Sequence, residues 1–163
     1  METRGFTIRP MQDADATGMH DVHTRAVQQV CARMVEPRIV EAWLYGRTPE
    51  GYLRATDEGG EAFWIAALDN GEIAGFASWR EDELVSLFVD PELEKRGLGR
   101  KLFAACEEDA AKNGHTIGRL ISTRNAQTFY ESLAFISERE GYTEKRGVRI
   151  PHIEMRRLSE PSH

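Results

Sequence analysis

The chain has 163 residues, of which 40% are hydrophobic and 29% charged, which is the composition of an ordinary globular domain. Its formal net charge of −6, with lysines and arginines dispersed among acids, argues against a general nucleic-acid-binding protein, which carries a basic face. Because we find no signal peptide and no window of ~18 apolar residues, we expect one cytoplasmic domain over residues 1–163 without a membrane partner.

The first third of the chain predicts one strand and two helices. Residues 6–9 alternate as a short strand, and apolar residues recur at helical spacing over 14–30, with Asp13 as N-cap. Pro37 suits the first turn of a second helix. Residues 46–60 are rich in turn formers, so they predict a loop with room for one further turn of helix.

The middle of the chain predicts an antiparallel meander of three strands. Residues 62–68 and 72–79 read as strands joined by a turn over 69–71. The third run, 84–89, is apolar on both faces except at Ser86. A strand that is apolar on both faces is buried on both, so we expect this one at the centre of the sheet.

The last third predicts a long helix, a strand, a short helix and two strands. Their ranges are 97–113, 116–122, 125–133, 135–138 and 148–158. With the preceding elements this order predicts an α+β fold. We expect a mixed, mostly antiparallel central sheet of about seven strands with helices on both faces.

One segment between a strand and a helix could bind a phosphate. Pro91 stops the strand, and Gly97 and Gly99 stand where the next helix starts, so a ligand could approach its free N–H groups closely. Four cations accompany them: Lys95, Arg96, Arg100 and Lys101. The patterns of dinucleotide sites and P-loops are absent. Taken alone, the segment is equally compatible with a tight connection whose glycines only permit packing.

Two segments resemble the GNAT superfamily of N-acetyltransferases. Residues 94–99 are similar to its acyl-CoA signature, [RQ]-x-x-G-x-[GA], with Glu94 where Arg or Gln is usual. Residues 125–135 resemble the later motif N-A-x-x-F-Y-x-x-x-G-F, with Ala134 in place of the glycine. The resemblance implies the GNAT fold and acetyl-CoA as cosubstrate.

The same resemblance implies which residues contact acetyl-CoA. The backbone of three strand residues would bind the pantetheine arm: Leu87, Phe88 and Val89. N–H groups of the next segment would hold the pyrophosphate: Lys95, Arg96, Gly97, Leu98, Gly99 and Arg100. Asn125 is a further cofactor contact or, equally, the N-cap of its helix.

Acyl transfer from a thioester to an amine needs a neutral amine, oxyanion donors and a proton for the thiolate. By resemblance, Tyr130 is the general acid, although a helix tyrosine can also simply be packed in a core. Oxyanion donors would be N–H groups near Phe88 or Val89. Glu83 is the candidate general base, but an acidic turn in water also explains it. Glu154 and His152 are weaker candidates.

The remaining reactive residue types give weaker signals. His20 and His23 are too few for a zinc site, so we expect no metal. Cys31 and Cys106 belong to no CxxC pattern and read as small core residues. In this superfamily the segment after the first strand shapes the acceptor site, so the resemblance implies that specificity lies within residues 22–53. Three aromatic residues there could line a pocket, Trp43, Tyr45 and Tyr52, although core packing is the default for Trp43.

These observations predict an N-acyltransferase that moves an acetyl group from acetyl-CoA to a primary amine of a small molecule or peptide by direct attack in a ternary complex. The acidic composition mildly favours cationic partners. A homodimer is compatible with the resemblance. The alternative from another class is a non-catalytic acyl-CoA-binding sensor or interaction module, which would have no use for a proton donor at Tyr130.

Overall fold

The computed structural model describes residues 5–29, 33 and 35–158. The strands in these residues are β1 (Phe6–Pro10), β2 (Ala62–Leu68), β3 (Ile73–Arg80), β4 (Glu83–Val89), β5 (Arg119–Ser122), β6 (Phe135–Lys145) and β7 (Val148–Arg157). The α-helices in the same residues are α1 (Ala16–Gln29), α2 (Pro37–Leu44), α3 (Glu50–Asp57), α4 (Leu98–Lys112) and α5 (Gln127–Glu131).

All of these strands belong to one sheet, in the order β1-β2-β3-β4-β5-β7-β6. β1 to β4 form an antiparallel meander, and β5, β7 and β6 are also antiparallel. β4 and β5 are parallel, because α4 carries the chain back across the sheet between them. The predicted mixed, mostly antiparallel sheet with a central β4 is therefore confirmed.

Helices cover both faces of the sheet, as the alternation along β2 requires. Phe63 and Ile65 pack on the face covered by α1 and α3, while Trp64 and Ala66 pack on the face covered by α4. The buried stripe of α4 consists of Leu98, Leu102, Phe103, Cys106 and Ala110. The α+β prediction with helices on both faces is confirmed.

The structure corrects several predicted boundaries. Residues 50–57 form the two-turn helix α3 where we expected a loop with room for one turn of helix, because Tyr52 is buried in the core. β6 extends to Lys145 instead of residue 138, since it pairs with β7 over its whole length. Asp13 lies inside a 3-10 turn and is not an N-cap, and Asp15 instead accepts a hydrogen bond from the N–H of Gln12 at 2.8 Å. The predicted helix end at residue 30 and Cys31, which we expected in the core, lie outside the described residues.

Candidate active site

β4 and β5 lie side by side at only one end. Their register pairs Glu83 with Arg119 and Leu84 with Leu120. In the described residues, β4 and β5 are not paired with each other at any other position. β4 nevertheless continues to Val89, so its backbone beyond residue 84 faces a wedge on the β5 side. An extended ligand that enters this wedge can hydrogen-bond to β4 as an added strand does.

A bulge in β4 changes which residues face the ligand side. Ser78 and Trp79 are consecutive in β3, but their partners in β4 are two residues apart, so Val85 is the extra residue. A bulge shifts the alternation of side chains by one position and re-aims those that follow. As a result Leu87 packs against the α4 side of the sheet, while Phe88 lines a cavity on the opposite face.

The segment after β4 is anchored at Asp90. Its backbone N–H donates to the carbonyl of Ala74 at 2.8 Å, and its side chain accepts from the N–H of Glu92 at 3.0 Å. Arg25 of α1 also donates to the Asp90 carboxylate at 2.8 Å. The chain then makes a 3-10 helix over Pro91–Arg96 before α4 starts. These contacts fix where the predicted pyrophosphate loop lies relative to the wedge.

The two glycines of this loop are needed for different reasons. Gly97 precedes α4 with φ of 75°, a left-handed conformation that favours glycine. A Cβ on Gly97 would meet nothing within 4 Å, whereas a Cβ on Gly99 would lie 3.1 Å from the Cζ of Phe129. Gly97 therefore sets the turn, and Gly99 lets α4 approach α5.

The structure gives the surroundings of the remaining predicted cofactor residues. The side chains of Glu94, Lys95 and Arg96 lie outside the described part of the structure. Arg100 donates to the hydroxyl of Ser132 at 2.8 Å, which ties the start of α4 to the end of α5. Asn125 lies exposed in a 3-10 turn after β5. It is not the N-cap of α5, since Ala126 holds that position, so that alternative is wrong.

Tyr130 lies in α5 and is 6% exposed. Its ring meets those of Phe129 and Phe135 edge to face, with centroids 5.2 and 6.2 Å away. Burial, and then the nearby Cys106, raise the pKa of the Tyr130 hydroxyl above its ordinary value of 10.0. A phenol in this environment stays protonated at neutral pH and can act as a proton donor.

A cavity of about 570 Å³ opens on the face of the sheet covered by α1 and α3. Its wall includes Phe88 and Ser86 of β4, beside the wedge. The predicted acceptor region contributes most of the other lining residues, among them His23, Trp43, Tyr45, Arg47 and Tyr52. Arg47 lies inside the predicted region but was not named there, and sequence reasoning missed Glu61, Ser86 and Lys145 as lining residues. The one available signal was Ser86, the only polar residue in the otherwise apolar run 84–89.

His23, Arg47 and Tyr52 form a polar cluster in the cavity wall. His23 Nδ1 lies 2.9 Å from the Tyr52 hydroxyl, and Arg47 Nη2 contacts both groups. Burial first, and then the charge of Arg47, hold the pKa of His23 well below its ordinary value of 6.5. A neutral His23 can accept from Arg47 at Nδ1. His23 Nε2 and Arg47 Nε are buried without a hydrogen-bond partner among the described residues.

A second cation, Lys145, reaches the same cavity from the end of β6. Its Nζ donates to the carbonyl of Trp43 at 2.9 Å. Burial, and then the charge of Arg47, lower the pKa of Lys145. Neither Lys145 nor Arg47 has a carboxylate within 4 Å among the described residues. This end of the cavity therefore carries positive charge that the described part of the chain leaves uncompensated.

The predicted base candidates do not line the cavity. Glu83 lies at the closed end of the wedge, with its carboxylate 3.5 Å from Arg119 and 4.0 Å from Arg80. Glu154 accepts a hydrogen bond from Arg139 at 3.1 Å, which lowers its pKa. His152 lies next to Glu154, at 3.6 Å. These ion pairs count against Glu83 as general base, a role that stays a prediction.

The other reactive residues have structural surroundings. Cys106 is buried in the core, where burial raises the pKa of its thiol. His20 lies 3.2 Å from the carbonyl of Arg47. Within the described residues we find no group of three or more His, Cys, Asp or Glu that could hold a metal ion. No helix in the described ranges has the length and apolar character needed to span a bilayer.

Known proteins match both the sequence and the structure. A family model described as an acetyltransferase (GNAT) domain matches residues 26–158. The L-amino acid N-acyltransferase MnaT of Escherichia coli (strain K12) is 27% identical over 139 residues, 80% of each chain. A GCN5-related N-acetyltransferase from Rhodopseudomonas palustris has a TM-score of 0.82 at 23% identity, over 96% of this chain and 98% of that one. PaiA N-acetyltransferase from Thermoplasma acidophilum, in complex with coenzyme A, has a TM-score of 0.72 at 18% identity, over 95% and 99%.

Proposed function

Because the chain belongs to the GNAT acetyltransferase family and is an acyl-CoA-dependent N-acetyltransferase, we propose that it transfers an acetyl group from acetyl-CoA to the primary amine of a small acceptor that also carries an anionic group. The observation that carries this proposal is a shared wall. β4 bounds both the wedge and the cavity, so a thioester held along the wedge meets an amine held in the cavity. Direct attack in a ternary complex needs this arrangement.

We assign acetyl-CoA to the wedge and to the loop that follows it. The backbone of Leu87, Phe88 and Val89 would bind the pantetheine arm as an added strand. The N–H groups of residues 95–100 would hold the pyrophosphate at the start of α4, where the helix dipole favours an anion. Asn125 follows β5, the other strand of the wedge, and is assigned as a further contact.

The reaction would then use groups that we assign to the surroundings of the thioester. The amine lone pair attacks the carbonyl carbon, and the C=O electron pair moves onto oxygen, which backbone N–H groups near Phe88 or Val89 would stabilise. Collapse of this intermediate breaks the carbon–sulfur bond. The nitrogen loses its extra proton to solvent, and Tyr130 would donate its proton to the departing thiolate and regain one from solvent. A phenol is protonated at neutral pH and so has this proton to give.

The charge of the cavity supports an acceptor that is anionic at one end. Arg47 and Lys145 lie there without a carboxylate partner in the described residues, so a carboxylate or similar group would relieve their mutual repulsion. The matched relative from Escherichia coli is an L-amino acid N-acyltransferase, which fits this expectation. We therefore favour an amino acid over a simple amine, although the acidic composition alone suggested a cationic partner.

The test compares matched acceptors that differ only in the carboxylate. We would measure free CoA released from acetyl-CoA with an L-amino acid and with the amine that lacks its carboxylate. Loss of a hydrogen bond to a charged group predicts a kcat/KM lower by ~10–100-fold for the simple amine. Arg47→Gln should shrink this difference, whereas Arg38→Gln, an exposed arginine of α2, should preserve it. If no CoA is released with either the amino acid or the simple amine, the proposal is contradicted.

A further inference from the structure

A chain of hydrogen bonds leads from β4 at the cavity to a carboxylate on the neighbouring strand. Ser86 of β4 and Ser78 of β3 are directly opposed in the sheet, and their hydroxyl oxygens lie 2.6 Å apart. The Ser78 hydroxyl donates to Glu61 Oε2 at 2.7 Å. Glu61 and Ser86 both line the cavity, while Ser78 is fully buried between them.

The hydrogen bonds that link Ser86, Ser78 and Glu61 are all donated in the same direction, towards Glu61. Ser78 has a single hydroxyl proton and gives it to the carboxylate of Glu61. The short contact between the two serines must therefore be donated by Ser86. This leaves the lone pairs of the Ser86 oxygen free to accept from a donor in the cavity. An ammonium group is such a donor.

Glu61 also differs from the other carboxylates considered for the site. Glu83 and Glu154 each lie beside arginines. Glu61 has no basic side chain within 4 Å among the described residues, and it stands on the same cavity as the cations Arg47 and Lys145. The cavity thus offers one uncompensated negative group and, separately, positive groups, which matches an acceptor with an ammonium and an anion.

We propose that Glu61 takes a proton from the acceptor ammonium through Ser78 and Ser86. This proposal rests on the proposed function. The ammonium N–H bond breaks with its electron pair left on nitrogen, and the proton goes to the Ser86 oxygen. Ser86 passes its own proton to Ser78, Ser78 passes its proton to Glu61, and the neutral Glu61 returns a proton to solvent. Ser86 is the catalytic residue of this step, and Glu61 is a positioning residue that acts through the two serines.

The experiment is a pH profile of kcat/KM for the amine acceptor, from about pH 6 to about pH 9.5, for the wild type and Glu61→Gln. A general base contributes ~10²–10⁴-fold, so Glu61→Gln should lose a factor in this range near neutral pH. Its activity should then rise about tenfold per pH unit up to the pKa of the free amine, because only amine already neutral in solution can react. A wild-type profile in Glu61→Gln would overturn the proposal.

Further variants separate the relay from a purely structural role. Ser86→Ala should reproduce the Glu61→Gln profile, and Ser86→Thr, which keeps the hydroxyl, should restore the wild-type shape. Glu58→Gln removes an exposed carboxylate three residues away and controls for charge. Affinity for acetyl-CoA, measured by calorimetry, should be unchanged in all of them, which also shows that they are folded.

The outcomes also distinguish the relay from the function on which it rests. A wild type that acetylates an amine, with an unchanged profile in Glu61→Gln, contradicts the relay and leaves the proposed function standing. A profile that shifts in Glu83→Gln and not in Glu61→Gln overturns the relay in favour of the other carboxylate. A wild type that releases no CoA with any amine contradicts both.

Discussion

Replacing Tyr130 by Phe removes one hydroxyl and keeps the ring in its aromatic cluster. The hydroxyl hydrogen-bonds to no described residue, and the causes of its raised pKa are burial and the nearby Cys106. Removing it therefore leaves no partner among the described residues unpaired, and the free energy of unfolding should change by less than about 1 kcal/mol. Any large effect of Tyr130→Phe must then come from the reaction and not from the fold.

The expected effect on turnover is large. Loss of a positioned proton donor lowers kcat by ~10²–10⁴-fold, which is about 2.7–5.4 kcal/mol of transition-state stabilisation. The thiolate must then leave without a proton or take it from water. The assay is free CoA release at saturating acetyl-CoA and amine. The dissociation constant for acetyl-CoA, measured by calorimetry, should change by less than about threefold, because the assigned cofactor contacts are mainly backbone groups.

A matched control excludes a general effect of losing a tyrosine hydroxyl. Tyr142 is 48% exposed on β6 and does not line the cavity, so Tyr142→Phe should turn over like the wild type. If Tyr130→Phe keeps the wild-type kcat, Tyr130 is not the general acid. If it loses acetyl-CoA binding instead, the hydroxyl serves the cofactor and the reasoning from burial fails.

Three further predictions concern stability. Gly97→Ala should lower the free energy of unfolding by about 1–2 kcal/mol through its φ of 75° alone, since a Cβ there meets nothing within 4 Å. The same substitution should weaken acetyl-CoA binding. A wild-type free energy of unfolding in urea titration and a wild-type affinity in calorimetry would contradict this. Ala134 has a φ of 73°, so Ala134→Gly should raise the melting temperature by about 3 °C, and a lower value would show that the strain is absent. His23 is neutral in the fold but takes up a proton near pH 6.5 when unfolded. As the pH falls below 6.5, this group should therefore lower the free energy of unfolding by up to about 1.4 kcal/mol per pH unit. In urea titrations, the free energy of unfolding of His23→Gln should depend less steeply on pH, and an equal dependence would refute the assignment.

Much of the architecture could be predicted because local signals agree with the final packing. The apolar run of β4 indicated a central strand, and the stripe of α4 indicated a buried helix face. The GNAT superfamily, the α+β fold and an acyl-CoA-dependent enzyme are all confirmed. The glycine motif identified the turn before α4, where Gly97 has a left-handed conformation that favours glycine.

The parts that sequence missed depend on pairing and tertiary contacts. β6 is an edge strand whose residues are mostly exposed and often charged, so its extension to Lys145 comes from pairing with β7 and not from its own pattern. α3 is too short to be stable alone and forms because Tyr52 is buried. Because α3 and the end of β6 both contribute to its wall, the acceptor cavity could not be predicted from the sequence. That Ser86 and Phe88 lie on the cavity face could be established only once the bulge at Val85 was known.

The most direct test of the central claim is to quantify the products of one incubation by mass spectrometry. Wild-type protein, acetyl-CoA and an L-amino acid should give N-acetylated amino acid and free CoA in equal amounts, and neither product should accumulate when any component is left out. Free CoA without the acetylated amine would show hydrolysis instead of transfer. Acetyl-CoA that binds and is never consumed, with any amine offered, would contradict the account.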